Sequence, residues 1–106
     1  MIARIWHGYT TFNNANVYQK LLLEEVIVGI QGRKIPGFNQ IKVLRREMKK
    51  EIEFITIMEF DSLDAVREFA GEDYEQAVVP AAARAVLSHF DARSQHYEIK
   101  ASKENS

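Results

Sequence analysis

No cysteine occurs among the 106 residues, and there are only two prolines and five glycines. The first absence excludes disulfides, thiolate zinc sites, iron–sulfur clusters and cysteine nucleophiles together. An excess of either charge is also missing. Fourteen Lys and Arg stand against fifteen Asp and Glu with no basic stripe, so nucleic acid is not an expected partner. No apolar run approaches the roughly 20 residues needed to span a bilayer. The opening MIARIWHGY lacks a basic segment followed by an apolar core, so a cytoplasmic protein without membrane contact is expected. What is present is 46% hydrophobic residues, including six Phe, four Tyr and one Trp. That suits one small domain over residues 1–100 with a polar tail at 101–106. A chain of this size buries only about two thirds of its unfolded surface, which favours a second copy as partner.

Residues 2 to 9 alternate Ala3, Ile5 and His7 against Ile2, Arg4 and Trp6, a strand pattern. Thr10 to Asn14 supply capping side chains, and Ala15, Tyr18, Leu22, Val26 and Ile30 recur at helical spacing, predicting a helix over 13–30. Leu23 and Ile27 lie round from that stripe, which suggests a second covered surface. Ile35-Pro36-Gly37 breaks the chain before a strand from Phe38 to Glu47. The charged run RREMKKE suits a hairpin tip, and a third, strongly hydrophobic strand spans 52–60. Asp61-Ser62 caps a helix whose Leu63, Val66 and Phe69 share a face, ended by Gly71. Residues 72–79 are expected to add a turn or two of helix, Pro80 to start another through AAARAVLSHF, and 95–100 to form the last strand.

The order β-α-β-β-α-β is the α+β, ferredoxin-like arrangement, with an antiparallel sheet and its helices on one side. The assignment that gives every strand an apolar helix-facing layer uses Ala3, Ile5, Ile41, Val43, Ile55, Ile57, Tyr97 and Ile99. Ile2, Arg4, Trp6, Phe54, Thr56, Met58, His96 and Glu98 then form the opposite face. That face is too apolar for water yet holds groups that hydrogen-bond or ionise, which makes it the candidate site.

The segment Glu53 to Ile99, with FDSLDAVREFAG followed by VVP and FDARSQHYE, resembles the C-terminal half of the antibiotic biosynthesis monooxygenase family of the dimeric α+β barrel superfamily. Trp6 and the Ile35-Pro36-Gly37-Phe38 break are similar too. The resemblance implies a homodimer whose two sheets face one another around an apolar pocket on the side away from the helices. It also implies two activities. One is oxidation of polycyclic phenols to quinones without metal or flavin, the substrate anion supplying the electrons. The other is haem degradation, but its Asn, Trp and His pattern fails here: the first strand carries Arg4, Trp6 and His7, and 72–79 contains no His.

Each candidate has two readings. Trp6 is either a stacking platform for a planar ligand or packing across the dimer seam. Arg4 either stabilises a phenolate or pairs with an acid such as Glu98. His96 is either a base oriented by Glu98 or a structural side chain. His7, near a strand end on the other parity, reads as a capping or surface residue. Phe54, Thr56 and Met58 would complete a ligand-binding wall. His7, His89 and His96 lack close ligand spacing, so no metal and no cofactor is expected. The resulting expectation is a cofactor-independent monooxygenase of a small phenolic or polycyclic compound, with Arg4 and His96 catalytic. The alternative is a non-catalytic ligand-binding or structural homodimer of the same fold.

Overall fold

The computed structural model describes residues 1–105. Strands β1 (Ile2–Thr10), β2 (Phe38–Glu47), β3 (Ile52–Phe60), β4 (His89–Phe90) and β5 (Gln95–Glu98) form one antiparallel sheet in the order β2-β3-β1-β4. β5 pairs with β1 on the same side as β4: Gly8 and Tyr9 face Phe90 and His89, while Ile2 to Ile5 face Glu98 to Gln95. The last ribbon is therefore a single strand interrupted at 91–94. This is the expected α+β, ferredoxin-like fold.

Helix α1 (Phe12–Leu21) starts where the Thr11 hydroxyl accepts the Asn14 amide at 3.2 Å. It runs through a π-helical turn (Leu22–Val26) into α2 (Ile27–Gly32). A π turn holds one extra residue, so the face presented to the core shifts along the helix. That shift brings Ile27, expected to face elsewhere, against the same core cluster as Leu22 and Val26, whereas Leu23 stays exposed. Helix α3 (Leu63–Ala70) begins with the Ser62 hydroxyl accepting the Ala65 amide at 3.2 Å and buries Ala65, Val66 and Phe69. It stops at Gly71, whose φ of 91° suits glycine.

Two expected helices differ from the fold. Residues 72–79 form a strap instead of helical turns. The Ala77 amide donates to the Ala92 carbonyl at 3.0 Å, the Ser94 amide donates to the Glu75 carbonyl at 2.6 Å, and Arg93 pairs with Asp73. Helix α4 (Ala81–Arg84) is only four residues long, and Pro80 sits just before its first turn. Beyond it, the Ser88 amide donates to Tyr9 and the Asp91 amide to His7. The free edge of β1 thus claims backbone that a longer helix would have used.

The expected layers are exchanged on three of the strands. Arg4, Trp6, Phe54, Met58 and Phe60 are buried in the two core clusters or beside them, against Ala15, Tyr18, Leu22, Val66 and Phe69 of the helices. Register places Ile41 opposite Met58 and Val43 opposite Thr56, so β2 does face the helices with the residues expected. Ala3, Ile5, Ile55, Ile57 and Tyr97 line the open face instead. The reason is size and shape: the large even-parity side chains fill the space beneath the helices. Full burial of Phe54 and Phe60 contributes about 1.5–3 kcal/mol each.

Candidate functional site

A cavity of about 50 Å³ lies between the sheet and the helices, within a single chain. Its floor is Arg4 and Trp6 of β1 with Thr56 and Met58 of β3, its helical wall includes Tyr18, Val26 and Ile30, and Val78, Val79 and Pro80 form its rim. Arg4, Trp6, Thr56 and Met58, expected to face away from the helices, line this helix-side cavity instead.

Arg4 is 3% exposed, and no carboxylate among the described residues lies within 4 Å of its guanidinium. It does not pair with Glu98, which contacts Lys100 at the surface. Its Nη1 donates to the Tyr74 carbonyl and lies 3.0 Å from His96 Nε2, and its Nη2 donates to the Gln76 carbonyl at 3.0 Å. The guanidinium also sits over the Phe69 ring, 5.3 Å from its centroid. Burial pulls its pKa down to about 10, so it remains a cation at neutral pH.

His96 stands behind Arg4, outside the cavity wall, edge-on to Tyr74. Because arginine is only a donor, His96 Nε2 must accept, and the ring is neutral with its proton on Nδ1. That Nδ1 is buried without a partner. Burial first, and the Arg4 charge second, hold the His96 pKa below its usual value. The geometry therefore fits a side chain that positions Arg4 better than the expected base oriented by Glu98.

Trp6 is 8% exposed, and its indole N–H donates to the Asp91 carbonyl at 2.8 Å. Thr56 and Met58 lie on the cavity floor as expected, but Phe54 is fully buried against Tyr18 and does not line the cavity. His7 lies on the open face, where its Nδ1 is 2.6 Å from Asp91 Oδ2. Tyr18, Val26 and Ile30 were visible in sequence as a helical stripe but not as cavity walls. Among the lining residues only Arg4 and Tyr18 titrate, and burial pushes the Tyr18 hydroxyl up to about 12, so it stays protonated. No group of three or more His, Asp or Glu among the described residues is placed to hold a metal ion. No helix among them is long and apolar enough to cross a membrane.

The ferredoxin-like fold of the chain, with its helices on one face of the sheet, is shared by two solved structures. A Bacillus cereus protein provisionally named as an antibiotic biosynthesis monooxygenase matches with a TM-score of 0.69 and 16% identity, over 98% of this chain and 97% of that one. SnoaB, a cofactor-independent oxygenase from Streptomyces nogalater, matches with a TM-score of 0.55 and 19% identity, over 97% and 95%. The resemblance read from the residues is thus matched by solved structures across nearly the whole chain, at the level of fold. No family model and no curated protein matches the sequence.

Proposed function

We propose that the chain is a cofactor-independent monooxygenase of a small phenolic or polycyclic compound, acting as a cytoplasmic homodimer. The observation that carries this reading is Arg4, a buried cation with no carboxylate partner in the wall of an apolar cavity. Such a group favours an anion over its neutral acid and so promotes loss of a phenolic proton. The phenolate would lie against Trp6, with the Tyr18 hydroxyl available as a donor. The electron-rich anion then reduces dioxygen. One oxygen atom becomes the new carbonyl of the quinone, and the other leaves as water, its two hydrogens being the phenolic proton and the single hydrogen of the oxidised ring carbon.

The homodimer rests on the open face of the sheet. Ile5, Ile55 and Ile57 are only partly covered there, Leu44 and Tyr97 are exposed, and no helix packs on them. A second copy of the same face would bury this apolar area without unpaired backbone groups. A depression of about 390 Å³ at the β2–β3 edge, beside Leu44, Arg45, Arg46, Glu53 and Ile55, adjoins that face.

One observation favours the non-catalytic alternative. A cavity of about 50 Å³ accommodates a few waters, at about 10–15 Å³ each, but no aromatic ring without movement of its walls. Oxygen uptake by purified protein with anthrone-like and hydroquinone substrates separates the readings. The proposal expects uptake without added metal or flavin, abolished in Arg4→Met. Ligand-induced thermal stabilisation without uptake would support the binding module instead, and neither effect would leave only the structural homodimer.

A further inference from the structure

Arg4 does two things at once: it faces the cavity, and it ties down the cavity's rim. Its two terminal nitrogens donate to the carbonyls of Tyr74 and Gln76, inside the 72–79 strap that carries Val78 and Val79 over the opening. The outer side of the strap is held separately, by Arg93 on Asp73 and Glu75 and by the Ala77 and Ser94 amides. Val78 is 48% exposed although it lines the cavity, so little packing resists its outward movement.

We propose that Arg4 is a latch that only an anionic ligand opens. This rests on the aromatic-site reading above and adds the ligand's charge and the moving part. Both carbonyls holding the guanidinium are neutral acceptors. A carboxylate or phenolate is a stronger one, because its full negative charge adds Coulomb attraction to a bond in which only the donor was charged before. An anion entering the cavity takes over the Nη donors, Tyr74 and Gln76 lose their inner tether, and the strap lifts to admit the ring. A phenol can lose its proton to solvent as it meets Arg4 and so enter as the phenolate, whereas an aromatic of the same shape with no such proton has nothing to exchange for those bonds and meets a cavity too small to hold it.

The test compares 2-naphthoate with its neutral isostere 2-naphthamide and follows amide hydrogen exchange at Ala77 and Ser94. The naphthoate is expected to bind at least about tenfold more tightly, the difference of one charge-assisted bond. Saturation with it is expected to speed exchange at those two amides while the β3 amides stay unchanged. Arg4→Met is expected to show the faster strap exchange without ligand and to lose the preference. Arg4→Lys, which keeps the charge but cannot bridge both carbonyls, serves if the Met variant does not fold. Equal affinity for the two ligands, or unchanged Ala77 and Ser94 exchange in the variant, overturns the latch while leaving an aromatic site intact. If neither ligand binds, the aromatic-site reading fails and the anion-opened latch fails with it, faster strap exchange in the variant then marking Arg4 as a tether alone.

Discussion

The Trp6 indole lies against Gly8 of its own strand, so closely that a methyl group on Gly8 would sit 2.7 Å from the indole Cη2 and 3.1 Å from the Leu87 side chain. Gly8 is paired with Phe54 on one side and Phe90 on the other, so the strand cannot retreat without breaking two ladders. The glycine is what allows the largest side chain in the cavity floor to lie down.

Gly8→Ala is therefore expected to push the indole from its place and break its 2.8 Å bond to the Asp91 carbonyl. Overpacking of this kind costs about 1–3 kcal/mol, measurable as a lower urea midpoint. Trp6 is the only tryptophan, so its emission reports the displacement directly, as a shift to longer wavelength. Unchanged emission with unchanged stability would show that the space around Leu87 absorbs the methyl group.

Strand β3 and helix α3 were legible in sequence because their signals are local: a strongly hydrophobic, β-prone run from Ile52 to Phe60, and a serine cap three residues before Ala65. The facing of the sheet was not. Both parities of β1 and β3 carry β-branched or aromatic residues, and Arg4 and His96 look like side chains that belong away from a core. What buries Arg4 is a pair of carbonyls some 70 residues away, at Tyr74 and Gln76, which no local pattern encodes. The same distance effect ended the expected helix after Arg84: Tyr9 and His7 take the Ser88 and Asp91 amides.

The depressed pKa of His96 makes a signed prediction. The unfolded chain binds the proton near the ordinary value of 6.5, and the folded chain binds it only at lower pH, because of burial and then the Arg4 charge. Below 6.5 the unfolded state therefore holds more protons, and stability rises with pH in that window. The contribution is complete above pH 6.5 and is lost as pH falls through the folded-state value. Urea midpoints between pH 8 and 5 should fall more for the native protein than for His96→Gln, which keeps an acceptor for Arg4 but no titration. Parallel curves would place the acid sensitivity elsewhere.

Ile57→Lys addresses the open face. Ile57 pairs with Ile5 and Lys42 on the face that no helix covers, so a lysine there leaves the single-chain core untouched. Two copies each lose about 1.5 kcal/mol of apolar burial, which weakens a symmetric dimer by about 100-fold or more. Sedimentation velocity at micromolar concentration should show monomers with native circular dichroism. If the native chain is itself monomeric there, the dimer proposal fails without reference to the variant.

Ala83 of α4 is 3% exposed and lines the cavity. Ala83→Val directs two further carbons at a space of about 50 Å³, which can receive them without moving the sheet. The β-branched side chain costs a few tenths of a kcal/mol in helix propensity, so the melting temperature should stay within about 4 °C of the native value or exceed it. If the cavity is a ligand site, the variant should keep its fold yet lose any thermal stabilisation by 2-naphthoate, because the volume the strap must enlarge is already occupied. If the cavity is only a packing defect, the substitution should be a pure gain in stability with no function to lose. Thermal melts of both proteins with and without naphthoate therefore distinguish a chamber from a flaw, independently of whether oxygen is consumed.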